Sequence, residues 1–302
     1  MENKITFKNI SGAALQWLGA FVGFVLCLVI TNLLSPLPKN IMDAVPASGF
    51  MSSPLAFVFN GAVNATILVW AARRSSFRGI ALWLQLLVLS FGVQVLETQI
   101  ETAYFLSAFP LLHGNFEVYH LILRGLITSI LFTLLVTLIT GGFSHKPRGM
   151  NRFELNTDRV VKASAWLAAV YIALYVLFGY FVAWQSQELR LFYGGPAQLN
   201  SFVDQWATTL MGKPELPVFQ YFRGVIWVLC LLPLFKSFTG RRTELVLLSA
   251  LALGLLPTAQ LAFANPLMPA GVSYYHFWEV SISTGIFGAL CAWFVPQGRS
   301  SE

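Results

Sequence analysis

Eight stretches of apolar residues limit what this chain can become. They lie at about 12 to 34, 54 to 72, 79 to 105, 118 to 140, 161 to 185, 217 to 238, 243 to 264 and 273 to 295. At about 1.5 Å of rise per residue, each is long enough to cross roughly 30 Å of hydrocarbon. Hydrocarbon cannot satisfy a free backbone N–H or C=O, so such runs close their hydrogen bonds internally as helices. With 56% hydrophobic and only 11% charged residues, the chain has too little polar surface to coat a soluble globule of its length. The expected fold is therefore an all-α integral membrane protein with eight transmembrane helices, forming a single polytopic domain over residues 1–302. The first run exceeds the apolar core of a signal peptide and is read as a helix of the bundle. Cys27, Cys230 and Cys291 all fall inside apolar runs, as small packing residues rather than disulfides or metal ligands. No metal and no cofactor is expected.

The links between the runs orient the bundle. Placing the N-terminus in the cytoplasm puts Lys4, Lys8, Arg73, Arg74, Arg78, Lys146, Arg148, Arg152, Arg159, Lys162, Lys236, Arg241, Arg242 and Arg299 inside. Of the 19 Lys and Arg residues, only Lys39, Arg124, Arg190, Lys213 and Arg223 remain for the outer half. Basic residues in short cytoplasmic links set topology, so both termini are expected in the cytoplasm. The net charge of +6 is spent on this bias, and nucleic acid is discounted as a partner. The setting that suits this pattern is a bacterial cytoplasmic (inner) membrane. A longer polar link at 141 to 160 separates possible halves 1–145 and 160–302. The pairs Arg124-Gly125 and Arg223-Gly224, each a few residues inside its helix, suggest a repeated helical hairpin.

Polar residues recur at helical spacing near the outer ends of the runs. Gln94, Glu97, Glu101 and Tyr104 are spaced 3, 4 and 3 on the third; Glu117, His120 and Arg124 follow the same logic on the fourth. The fifth carries Gln185 and Glu188 at its end, the sixth Gln220, Arg223 and Trp227, and the eighth His276, Glu279 and Ser283. A charge at the centre of a bilayer costs roughly 2.5 to 3.5 kcal/mol on insertion scales, so these stripes should turn inward and converge. The expected result is a polar pocket in the extracytoplasmic half, lined by Glu97, Glu101, His120, Arg124, Glu188, Arg223, His276 and Glu279.

Three readings fit such a pocket, in this order. The first is binding or transport of a small anionic or amphipathic, lipid-like molecule, with the arginines as anion forks and the glutamates as countercharge or proton acceptors. The second is an intramembrane enzyme acting on a lipid or lipid-linked substrate through Glu and His acid–base chemistry. The third is a non-catalytic membrane subunit or receptor whose polar residues form a structural network, with a protein partner or a second copy of the chain on its outer loops. Glu117 and His120 have the i, i+3 spacing of helical metal sites, but His276 and Glu279 repeat it in reverse. No His-Glu-x-x-His helix, Gly-x-Ser-x-Gly elbow or phosphate-cradling glycine loop occurs, which removes the best-marked hydrolase and nucleotide classes. Membrane lipids are the surrounding partners. Small residues around Gly285 and Gly288 are read as packing notches, and a short helix through Phe202, Trp206 and Leu210 is expected in the fifth-to-sixth link.

Overall fold

The computed structural model describes residues 7–44, 46, 49–144, 150 and 153–298, with side chains from residue 12 onward. Among the described residues, seven helices are long and apolar enough to cross a membrane: Gly12–Leu34, Ser53–Arg74, Gly79–Tyr104, Asn115–Ile139, Thr157–Gln185, Leu216–Ser237 and Ala270–Phe294. The first of these lies within α1 (Phe7–Leu34), and a short α2 (Lys39–Asp43) follows it. The remainder are α3 (Ser53–Arg74), α4 (Gly79–Leu87) continuous with α5 (Glu97–Tyr104), α6 (Asn115–Ile139), α7 (Thr157–Phe181), α10 (Leu216–Ser237) and α12 (Ala270–Phe294). Between α7 and α10 lie α8 (Gln187–Phe192) and α9 (Phe202–Gly212), the latter being the short helix expected through Trp206.

The seventh apolar run departs from expectation. Its regular helix, α11, covers only Arg242–Leu255, 14 residues, or about 21 Å at the α-helical rise. Pro257 explains the stop, because it has no N–H to donate and its ring would clash with the carbonyl four residues back if the helix ran on. The chain continues through a 3₁₀ turn, Ala259–Ala262, to Phe263, whose ring meets that of Phe57 near the start of α3 at 4.8 Å. The run thus reaches from one end of the bundle to the other without being one long helix. Pro233, by contrast, sits inside α10 without ending it.

Arg73, Arg74, Arg78, Arg159, Lys162, Lys236, Arg241 and Arg242 gather at one end. There Glu244 Oε1 accepts hydrogen bonds from Trp70 Nε1 at 2.7 Å and from Arg74 Nε. Arg242 donates to the carbonyls of Trp293 and Pro296, and Arg159 to that of Phe294, capping the C-terminus of α12. Strand β1 (Phe153–Glu154) pairs antiparallel with β2 (Gln297–Gly298) at the same end. Lys4, Lys146, Arg148, Arg152 and Arg299 lie outside the described residues, as does the side chain of Lys8. Arg74 is half exposed, so its pair with Glu244 is expected to contribute no more than about 1 kcal/mol. Glu244→Gln should accordingly unfold within about 1 kcal/mol of wild type in a thermal melt of the detergent-solubilised protein.

Packing follows the apolar pattern. On α1 the exposed residues Leu15, Leu18, Val22, Leu26, Val29 and Leu33 form a stripe for lipid, while the helix packs on α3 and α6. The densest contact is between α11 and α12, and α7 lies against both α10 and α12. The core of the basic half is apolar, built around Leu86, Leu89, Trp227, Leu231 and Phe235.

Candidate functional site

The third run is not a simple α-helix. Its middle, Val88–Leu96, is a nine-residue π-helix, and the Glu97 N–H donates to Gly92 O, five residues back. A π-segment shifts the phase of everything beyond it and is frequent at functional sites. At Gly92 the segment comes so close to α10 that an added Cβ would lie 2.6 Å from Cys230 Sγ. That approach sets the register of two antiparallel helices, and about two turns up α10 from Cys230 it brings Arg223 level with Glu97 and Glu101. Gly224 makes the matching room behind, where a Cβ would lie 2.9 Å from Ala168 Cα of α7.

Arg223 is fully enclosed by its partners. Its Nε donates to Glu97 Oε2 at 3.0 Å, Nη1 and Nη2 donate to the two oxygens of Glu101 at 2.9 and 3.1 Å, and Nη1 also reaches Gln220 Oε1 at 3.1 Å. The two-pronged grip on Glu101 is the geometry for which a guanidinium is suited. One guanidinium faces two carboxylates, and Glu97, 0% exposed, has a second oxygen with no hydrogen bond. Beside this triad, Tyr193 Oη lies 2.9 Å from His276 Nε2, and His276 Nδ1 lies 3.1 Å from Glu279 Oε2. Burial first, then the carboxylates of Glu101 and Glu279, hold the Tyr193 phenol well above its ordinary range. It therefore stays neutral, and its hydroxyl and the Glu279 carboxylate hold the His276 ring from either side.

Arg124 occupies different surroundings. Its Nη1 donates to Ser35 O and its Nη2 to Asn32 Oδ1 at 2.5 Å, so it caps the C-terminal end of α1. His120 Nε2 joins it, 3.0 Å from Pro36 O. Among the described residues Arg124 has no carboxylate within ion-pair distance. It lines a cavity of about 570 Å³ between α1, α3, the π-segment and α6. Asn32, Gln94, Gln99 and Gln260 are among its polar lining residues, and Phe24, Leu28, Phe57 and Phe132 among its apolar ones.

Two further cavities complete a row. One of about 280 Å³ shares Gln99, Leu121, Gln260 and Phe263 with the Arg124 cavity. The next, of about 290 Å³, shares Glu101, Phe105, Tyr193 and His276 with the middle one. No family model, curated protein or solved structure matches this chain.

The eight residues expected to line one pocket thus divide into three groups. Glu97, Glu101 and Arg223 meet directly, and His276 and Glu279 join them through the shared cavity wall. Arg124 and His120 work together at the end of α1. Glu188 is exposed, its carboxylate against Gly271 in the first turn of α12, where an anion suits the helix dipole. Glu117 faces His113 at 3.9 Å rather than sharing a partner with His120, and among the described residues no group of three His, Cys, Asp or Glu is placed to hold a metal ion. The structure adds residues that helical spacing does not single out. Tyr193 stands in a turn with no periodicity. Gln94 and Gln99 line one cavity because they are five apart across the π-segment, which also takes Gln94 away from the face it shares with Glu97 in an ideal α-helix. Arg190, buried, donates to the carbonyls of Trp184, Pro196 and Ala197 and staples that loop.

Proposed function

We propose that this multi-pass helical protein binds or transports a small amphipathic molecule with an anionic head, held by Arg124, and that its basic end faces the cytoplasm. The observation that carries the reading is a cation, Arg124, with no counter-ion among the described residues. A guanidinium within an apolar bundle is costly unless an anion or a full set of acceptors meets it. Arg124 has two acceptors at the end of α1 and opens onto a cavity lined both by carboxamides and by aromatic and aliphatic side chains. That mixed lining, with a guanidinium in it, suits a head with phosphate or carboxylate oxygens and a short apolar tail. Arg223 is not the anion fork in this reading, because Glu97 and Glu101 already occupy it.

The test is calorimetric titration of the purified full chain with decyl phosphate, decanol and inorganic phosphate. Decyl phosphate should bind saturably and more tightly than either fragment. Arg124→Gln should weaken it by about tenfold or more, and Arg124→Lys should retain part of the affinity, since charge persists but the fork does not. Equal affinity in wild type and Arg124→Gln refutes the proposal.

A further inference from the structure

We infer that the cavity at the far end of the row is a separate site for a small organic cation, an amine or quaternary ammonium, and that Lys213 is a tethered competitor for it. This inference does not rest on the Arg124 reading, since the two cavities have no lining residue in common.

The cavity holds about 290 Å³, near the lower limit for small-molecule sites. Its wall is aromatic, with Phe105, Tyr175, Trp184, Tyr193 and Trp206 on several sides, and the face of such rings attracts a cation. Two carboxylates, Glu101 and Glu279, line it against one amine, Lys213, and the imidazole of His276. The other cations nearby are already satisfied: Arg223 by Glu97 and Glu101, Arg190 by three backbone carbonyls. Glu279 is 5% exposed, and among the described residues its sole basic partner is His276.

Two further observations fit a cationic occupant. Gln205 lines the cavity, is 4% exposed, and has an Oε1 that no donor reaches. A buried acceptor left open is costly unless something donates to it, and an ammonium N–H or a water held by a bound cation does so. The wall also holds a cation now, because Lys213 Nζ stands 4.4 Å from the Phe105 ring centroid and 5.5 Å from that of Tyr104. Lys213 belongs to the half-buried rim, just past the end of α9. A ligand ammonium over Phe105 takes the place of this side chain, which swings to solvent.

The sign of two substitutions follows. Benzyltrimethylammonium, titrated by calorimetry into the detergent-solubilised full chain, should bind more tightly than neutral benzyl alcohol or anionic benzylsulfonate. Glu279→Gln should weaken the cation by about tenfold, the worth of one desolvated charge-assisted contact. Lys213→Met should tighten it by about threefold or more by removing the competitor, and as a rim substitution it leaves folding intact. Size-exclusion profiles confirm that both variants remain folded. The cation binding no better than benzyl alcohol, or an affinity that Lys213→Met leaves unchanged or lowers, overturns the inference. Arg124→Gln should not alter this titration. Decyl phosphate binding that depends on Arg124 while benzyltrimethylammonium fails would remove the cation site alone.

Discussion

Arg223→Met is expected to destabilise the protein by about 3–5 kcal/mol, the usual result of removing one partner from a buried ion pair. The cost comes less from the lost attraction than from what remains. Glu97, fully buried, would keep only unpaired oxygens, and Glu101 would lose both donors at once. The same reasoning makes the loss reversible by neutralising the carboxylates. In Arg223→Met with Glu97→Gln and Glu101→Gln, most of the stability should return, because a carboxamide in a dry bundle costs far less than a charge. Arg223→Lys should fall between, since an ammonium supplies charge but cannot grip two glutamates in a plane. Thermal unfolding in one detergent compares all four proteins. A single variant as stable as wild type would show that the triad does not hold α5 to α10, and a triple variant no better than the single would show that charge is not the reason.

How much of this is legible in the sequence depends on the kind of contact. Helical spacing finds Glu97 and Glu101 on one face, and the expense of charge in a bilayer predicts that Arg223 turns toward acids. What spacing cannot supply is the neighbour. Arg124-Gly125 and Arg223-Gly224 look alike as dipeptides, and both glycines do admit a close neighbour, Val95 in one case and Ala168 in the other. Yet one arginine meets carboxylates and the other the end of α1, because the two helices pack against different partners. The seven long helices are visible as apolar length, whereas the short α11 is visible only as a proline whose consequence depends on where it falls. The π-segment leaves no mark in composition, so the five-residue relation between Gln94 and Gln99 emerges only in three dimensions.

That difference between the arginines shapes the functional reading. A bundle with one guanidinium paired to carboxylates and one held only by neutral acceptors has a rigid joint at the first and an open site at the second. The triad fixes the wall shared by the middle and far cavities, since Glu101 lines both. Arg124 instead couples an open cavity to the end of α1, a helix whose outer face carries a stripe for lipid. An anion bound at Arg124 competes with Ser35 and Asn32 for the same N–H groups, so occupancy and the seating of α1 are linked through one side chain.

Gly288→Leu is expected to be the second most damaging substitution, at about 3 kcal/mol, the upper part of the range for overpacking. Gly288 lies where α12 meets α11, and a Cβ there would overlap the Ser249 carbonyl, backbone that cannot move aside as a flexible side chain can. Gly254 repeats the contact from the other helix, with a Cβ position 2.7 Å from Ser281 O. Such close approach allows hydrogen bonds across the seam: Thr284 Oγ1 donates to Leu253 O at 2.6 Å, and Thr258 and Ser281 hydroxyls lie 2.8 Å apart. Where lipid is as apolar as leucine, contacts of this kind rather than hydrophobicity hold helices together. The effect matters more for α11 than for a longer helix, because 14 residues give it little length over which to recover lost packing. Gly12, inside α1, supplies the control, since among the described residues nothing outside its own stretch of helix lies within 4 Å of its Cβ position, and Gly12→Leu should not destabilise the protein. If thermal unfolding ranks the two leucine variants equally, the seam between α11 and α12 is not the constraint that its geometry implies.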